Sequence, residues 1–403
     1  MIFFYKAFLH LYYFFIYFLA IKNAKAQKWI DGRKNIKSRI VELDIKNCIW
    51  FHASSLGEFE QISYLIETIR KNYPDEKLLV SFFSPSGYEM RRNFKYADYV
   101  MYLPFDFESD VRLFIETIQP KLVFWIRYEF WLNVLSILKA KEIPTILLNG
   151  VFRSKTSMFY QPYLKKCLAC FTEIGVINQN SKLNLEKLGF ASTVIEDTRY
   201  GRMQQIVQIP FEDDVIQHFT NHDKVIICGS IWPNDDRIIG DKIISSSDMQ
   251  WILVPHEVHL SRVQELQDQF SGAQRYSQYD FSKRTNILII DTIGILSRLY
   301  RYADVAYVGG GFDKVAHSLI EPMAYSLPII IGKNIEKSEE AKEYVDLNFV
   351  VQVFSSYEFN NAIDSFLYND QAEARLDKRE YFIDRIHSMD TILQIAAKYA
   401  TLR

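Results

Sequence analysis

Four cysteines among 403 residues, in no closely spaced even set, exclude a disulfide framework. Cys167 and Cys170 have CxxC spacing, but no second CxxC accompanies them and the surrounding stretch is apolar. Packed free thiols in a reducing compartment are therefore expected. Charge of one sign is also missing: the formal net charge is −2, with no domain-wide basic excess, which argues against nucleic acid as the main partner. No low-complexity segment or short repeat interrupts the chain. No Asp-x-Asp pair ends a strand beside a further acid, so no metal site is expected. Asp235 and Asp236 are adjacent at a helix start, where capping accounts for them. What remains is 49% hydrophobic and 24% charged residues, a globular composition long enough for two domains.

One long apolar run stands at the N-terminus. From Ile2 to Ile21 only Lys6 and His10 break it, and about 20 such residues suffice to cross a bilayer core. Lys22, Lys25, Lys28, Arg33, Lys34 and Lys37 follow, and cations beside a membrane segment favour the cytoplasmic side. Residues 1–21 are therefore expected to be a membrane anchor, with the rest of the chain on the cytoplasmic face. Ala24-Lys25-Ala26 imitates a signal-cleavage site, but the lysines around it weigh against cleavage. A helix lying in the interface stays open as an alternative.

Beyond the anchor, short apolar strands alternate with helical periods. Cys48 to His52, Leu78 to Phe83, Asp98 to Leu103, Lys121 to Ile126, Thr145 to Leu148, Ile174 to Ile177 and Ser192 to Ile195 form a first series. Val225 to Cys228, Trp251 to Val254, Asn286 to Ile290, Val305 to Val308 and Ile329 to Ile331 form a second. This is the pattern of parallel, doubly wound α/β sheets. The expected division is a first Rossmann-like domain over 22–205 and a second over 206–403. Arg202 to Glu212 is read as the linker. Two such halves facing a cleft favour a small-molecule site there. The stretch Glu373 to Tyr399 reads as helices able to pack back across that cleft.

Asp304 to Gly332 carries the clearest chemical signal. A β-branched run ends in Gly309, Gly310 and Gly311, and a helix is expected to open with His317, Ser318, Glu321 and Pro322. Glycine lets backbone approach a phosphate, helix starts attract anions, and an acid one turn in can hold a sugar hydroxyl. A glycine loop that merely turns is the plain alternative. His317 and Glu321 at i, i+4 on one helix face favour a nucleotide-sugar site. In the first half, Ala53-Ser54-Ser55-Leu56-Gly57 leads to Glu58 at a helix start. There a carboxylate can act as general base or simply complement the helix dipole. His52, alone at a strand end, is more simply structural.

HASSLGEFEQ, SFFSPSGYE, YLPFD, RYEFWLNV, the Gly229-Ser230 turn and VGGGF followed by HSLIEP occur in that order. Together they make the chain, from about Trp29 to about Val351, resemble the Kdo (3-deoxy-D-manno-octulosonic acid) transferases of lipopolysaccharide synthesis, membrane-anchored GT-B glycosyltransferases. The resemblance implies an α/β GT-B fold of two Rossmann-like domains, and transfer of Kdo from CMP-Kdo to a lipid A precursor at the inner membrane. It implies Glu58 as general base and Glu129 as the acid that orients acceptor or donor. It implies a donor site of Ser230 (opening a helix over the phosphate), Pro255, His256, Gly309, Gly310, His317, Ser318 and Glu321, with Glu321 on the ribose. The partners are then CMP-Kdo, the lipid A precursor and membrane lipid. The transfer is expected to need no cofactor or metal and to invert the anomeric carbon.

Four positions depart from the family pattern: Ser318 for asparagine, Glu196 for glycine, Leu132 for proline and His256 for arginine. Arg199 is a candidate phosphate cation or a salt-bridge partner. Phe82, Phe83 and Tyr88 are core residues or acyl-chain contacts. Two rivals remain: a GT-B enzyme using a UDP- or GDP-sugar, and a non-catalytic membrane-bound lipid or nucleotide-sugar binder.

Overall fold

The computed structural model describes residues 2–127, 129–153, 160–195, 197–220, 224–369 and 372–399. It divides into two units, Met1–Gly201 with His387–Arg403, and Arg202–Ile386. In the first, seven parallel strands form one sheet: β1 Ile49–Ala53, β2 Leu78–Phe82, β3 Tyr99–Tyr102, β4 Leu122–Ile126, β5 Thr145–Gly150, β6 Glu173–Val176 and β7 Thr193–Val194. Their order is β3-β2-β1-β4-β5-β6-β7. Alternation along β1 sends Ile49, Phe51 and Ala53 to one core and Trp50 to the other, as the pleat requires. Phe59, Ile62, Leu65, Ile66 and Ile69 of helix Leu56–Asn72 cover the first of these faces.

Met389, Ile392 and Ala396 of the last helix, Ser388–Tyr399, are buried in that same core. The expected second domain, 206–403, therefore ends too late, because the apolar face of this helix is used by the first sheet. The expected linker is different too: Arg199–Gln208 is a helix, with Tyr200 and Met203 buried.

The N-terminal run is one helix, Ile2–Leu19, about 27 Å long at 1.5 Å per residue. No helix among the described residues is long and apolar enough to cross a membrane. Tyr5, Leu9 and Ile16 are buried in the first unit's core, with Tyr12 and Tyr13 packed beside them. Phe4, Phe8, Leu11, Phe15 and Phe18 are exposed. Composition alone did not separate these two faces. Arg33 is not part of an exposed basic run either. It is buried, lies 4.0 Å over Trp29, and donates to the carbonyls of Leu103 and Phe83.

The second unit repeats the plan with β8 Lys224–Ile231, β9 Met249–Pro255, β10 Gln274–Arg275, β11 Ile287–Ile289, β12 Val305–Val308, β13 Ile329–Ile331 and β14 Val350–Gln352. Their order is β10-β11-β9-β8-β12-β13-β14, all parallel. The edge strands β10 and β14 were not expected. One is two polar residues, and the other has only two apolar ones. In each sheet the winding reverses once, between β1 and β4 and between β8 and β12. Ligands of open α/β sheets bind outside the carboxyl ends at such a reversal.

Candidate functional site

At the first reversal, β1 runs out through Ser54 and Ser55 into helix Leu56–Asn72. Ser55 is the N-cap but makes no side-chain cap bond. Glu58, in the first turn, supplies it instead: its Oε2 accepts the Ser54 amide at 2.6 Å. The helix-complementing role is thus real, and it also fixes the carboxylate at the end of β1. Burial raises the Glu58 pKa, opposed by that amide and by the charge of Arg127.

Beside it, β4 ends and Arg127 takes a left-handed φ of 61°, a conformation few L-residues adopt. The Arg127 Nε donates to Gln61 Oε1 at 3.0 Å. Trp125 Nε1 donates to the Glu129 carbonyl at 2.7 Å, tying the loop down. The Glu129 Oε2 and the His52 Nε2 face one another at 4.0 Å, both buried and without a hydrogen-bond partner. Burial pushes the Glu129 carboxyl up to about 7, with the nearby Glu58 charge adding to the shift. Burial, and then Arg33, press His52 down to about 3, so its ring is neutral. Ser81 Oγ accepts from Trp50 Nε1 and pairs with His52 Nδ1, each at 2.8 Å. Ser81 can then donate to Nδ1, leaving the imidazole proton on Nε2, toward Glu129. This site therefore holds two acids lifted above their ordinary range, one capping a helix and one beside a neutral histidine.

At the second reversal, the residues expected around the donor converge, but not as expected. Ser230 does not open a helix. It lies inside β8 with a left-handed φ of 55°, and the helix begins at Pro233. Strained backbone of this kind gathers at functional sites. Pro255 ends β9, and the next amide, of His256, donates to the Ile231 carbonyl at 3.1 Å.

The glycines are explained by chain packing. A Cβ on Gly309 would stand 2.5 Å from the Ser230 carbonyl, and one on Gly311 2.7 Å from Gly332 Cα. Gly310 has φ +92°. The Gly309 and Gly310 amides are already used within the chain: Gly309 N donates to the Gly229 carbonyl and Gly310 N to Asp235 Oδ2. Asp235 is fully buried and also accepts from Tyr307 Oη at 2.7 Å and Trp232 N at 2.8 Å. Local capping describes only the last of these bonds. Asp236 holds Arg262 through two short bonds.

His317 precedes the helix instead of opening it. The helix is the four residues Ile320–Met323, so His317 and Glu321 do not share a helical face. Its first amides, at Leu319 and Ile320, are already bonded to Glu340 Oε1. Glu321 is half-buried in that turn and close enough to Tyr300 to raise the Tyr300 pKa, after burial. Ser318 is half-buried in the preceding loop. His317 Nε2 accepts from Trp232 Nε1 at 2.9 Å, and His256 stacks on the His317 ring at 4.2 Å and on Trp232 at 4.8 Å. Lys314 Nζ lies 5.0 Å over Trp232. Burial, then His256 and Lys314, lower His317 to about 4. A stacked aromatic face with one lysine can receive a planar base and an anion.

Arg199 is paired with Asp197 at 2.8 Å. Phe82 and Phe83 are buried, which makes them core residues and not acyl-chain contacts. Glu196 lies outside the described residues. Among those described, no three or more His, Cys, Asp or Glu side chains gather as a metal site would. Sequence reasoning missed Arg127, Trp232, Asp235 as a loop tie, and Glu340. Of these, only Trp232, an aromatic just after a strand and before a helix proline, left a readable signal.

Residues 28–202 match the model of a family described as 3-deoxy-D-manno-octulosonic-acid transferase (kdotransferase). A bifunctional glycosyltransferase/methyltransferase of Fusobacterium nucleatum subsp. nucleatum is 26% identical over 356 residues, or 82% of this chain. The match covers 54% of that relative, so the chain spans about half its length. A 3-deoxy-D-manno-octulosonic acid transferase of Rickettsia bellii is 25% identical over 418 residues, 96% of each protein. In fold alone, the chain is similar to a crystallised glycosyltransferase of Rickettsia africae, with a TM-score of 0.62 at 12% identity. That match covers 88% of this chain and 98% of the other.

Proposed function

We infer, from the premise that the chain belongs to the Kdo transferase family, that it is a glycosyltransferase adding Kdo in lipopolysaccharide core biosynthesis. Its two parallel-sheet units are of the GT-B kind. The donor is CMP-Kdo, the acceptor a lipid A precursor, and the enzyme works at the cytoplasmic face of the inner membrane.

The observation that carries the mechanism is the pair Glu58 and Glu129 at the reversal of the first sheet. Glu58 accepts the acceptor hydroxyl proton as its oxygen bonds to the anomeric carbon. The bond from that carbon to the phosphate oxygen breaks, and its electron pair leaves with CMP. A pKa raised by burial makes Glu58 a stronger base once ionised. Glu129, holding its proton up to about pH 7, donates a hydrogen bond to substrate without adding a second negative charge. In the second unit, Trp232, His256 and His317 supply the face for the nucleotide, and Lys314 the charge for its phosphate. Positive charge near the departing phosphate stabilises the transition state. Attack opposite the leaving group inverts the anomeric centre, with no metal required.

The test is transfer from freshly made CMP-Kdo to a tetra-acylated lipid A precursor in detergent, read by mass spectrometry. A lipid heavier by one or more Kdo units is expected, with and without EDTA. Activity lost in EDTA and restored by magnesium would remove the metal-independent part. Activity with UDP-sugars alone would remove the donor assignment.

A further inference from the structure

A polar cluster ties the N-terminal helix to the loop that carries Glu129. Asp106 is buried, and its Oδ2 accepts from Tyr5 Oη at 2.6 Å and from the Asn133 amide at 2.9 Å. Its Oδ1 accepts the Val134 amide at 2.9 Å, and its carbonyl accepts Asn133 Nδ2 at 2.6 Å. The Tyr5 hydroxyl in turn accepts the Leu132 amide at 3.2 Å. These are the first amides of helix Leu132–Ala140, whose N-cap, Trp131, makes no side-chain cap bond of its own. Helix starts leave such amides orphaned unless something supplies acceptors. Here the acceptors come from 127 residues away (Tyr5) and 27 to 28 residues away (Asp106), not from the local sequence.

The cap lies three residues after Glu129. The loop before it is held at two carbonyls, Glu129 by Trp125 and Phe130 by Tyr163 Oη at 2.6 Å. Among the described residues, its far end is held by this cap and by ring packing, with Tyr12 6.5 Å, Phe105 6.0 Å and Phe83 4.6 Å from Trp131, and the Trp131 side chain also reaches the Glu129 carboxyl. Two of these groups, Tyr5 and Tyr12, belong to helix Ile2–Leu19. A helix used only for attachment would not need a buried hydroxyl aimed at the start of a distant helix.

We propose that Tyr5 and Asp106 are positioning residues for Glu129, so that the N-terminal helix is part of the catalytic framework of the first unit as well as its attachment. The proposal rests on Glu129 acting in the transfer. Without the Tyr5 hydroxyl, the Leu132 amide loses its acceptor and Asp106 loses one of its donors, so the helix start and the Glu129 carboxyl shift together. Misplacement of a reacting group by about 1 Å can cost on the order of 100-fold in rate.

The test uses the full chain in detergent micelles, where membrane attachment is not limiting, with Tyr5→Phe, Glu129→Gln and the double variant. Tyr5→Phe keeps the ring packing. It should lower kcat roughly ten- to a hundredfold, with the KM for CMP-Kdo unchanged. In the Glu129→Gln background the same change should have no further effect on kcat, because coupled residues are non-additive. Asp106→Asn should repeat both results. An equal loss in both backgrounds, or an unchanged kcat in Tyr5→Phe, would overturn the positioning role while leaving Glu129 in the mechanism. Unchanged kcat in Glu129→Gln alone would remove Glu129 and the proposal with it.

Discussion

Replacing Asp235 by alanine should unfold the second unit far more readily than replacing it by asparagine. The carboxylate sits fully buried and receives Tyr307 Oη, Gly310 N and Trp232 N at 2.7 to 2.8 Å. Alanine leaves all three donors without that acceptor, in a place where a Cβ on Gly309 would come within 2.8 Å of the missing oxygen. An orphaned buried donor costs about 1–3 kcal/mol. Asp235 itself resists ionisation because of its burial, which offsets part of the loss. A net cost of about 3–5 kcal/mol follows, a large share of the ~5–15 kcal/mol of a whole domain. Asparagine can turn its oxygen to the two amides and its nitrogen to the Tyr307 oxygen, so its cost should stay near 1 kcal/mol. The assay is urea unfolding followed by circular dichroism and calorimetry. With a slope of about 2 kcal/mol per molar, alanine should lower the second unit's midpoint by about 2 M and asparagine by about 0.5 M. Equal midpoints for the two variants would refute the account of Asp235 as the tie between β8, β12 and the glycine turn.

Glu58→Ala should keep CMP affinity and lose turnover by roughly 10²–10⁴, the usual effect of a missing general base; calorimetric titration and the transfer assay separate the two, and unchanged turnover would remove Glu58 from the mechanism. Glu129→Gln should gain stability over the parent as pH rises. In the parent the folded carboxyl keeps its proton up to about pH 7 while the unfolded one loses it near 4.5, so the folded state binds more protons in that window and parent stability falls through it. Urea midpoints at pH 4, 5, 6, 7 and 8 test this, and a pH-independent difference would contradict it. Replacing Phe4, Phe8, Leu11 and Phe15 together by serine should weaken sedimentation with anionic vesicles without lowering the melting temperature, because those side chains are exposed. A matching drop in melting temperature would place them in the core instead.

Sequence reading reached the sheets because buried parallel strands write themselves as continuous apolar runs, as at Val305–Val308 and Ile329–Ile331. It failed at β10, where Gln274 and Arg275 pair by backbone alone. It singled out Glu58, Glu129 and His256 because chemically able side chains stood shortly after strands, and the structure puts each beside a sheet reversal. It left two readings of the glycine turn open for a physical reason. Three glycines report that something comes close to the backbone, and the sequence does not say whether that is a phosphate or, as here, Ser230, Asp235 and Gly332. Ties such as Glu340 to the Leu319 amide or Asp106 to Asn133 are tertiary, and no local spacing announces them.

The N-terminal helix shows how far composition can carry a membrane argument. Twenty nearly uniform apolar residues predict a span, yet Tyr5, Leu9 and Ile16 are packed against the first sheet's outer helices and loops. Burying three such side chains is worth about 5–9 kcal/mol. The Tyr5 bond to Asp106 would be lost along with them if the helix left the domain to cross a bilayer. The opposite face, with Phe4 76% and Leu11 68% exposed, gains from leaving water while the helix stays docked. A helix lying in a membrane interface with its inner face still docked would meet both demands. We propose attachment in the plane of the interface in place of a span. In that arrangement the groups that touch lipid and the groups that hold the Glu129 loop are successive turns of one helix.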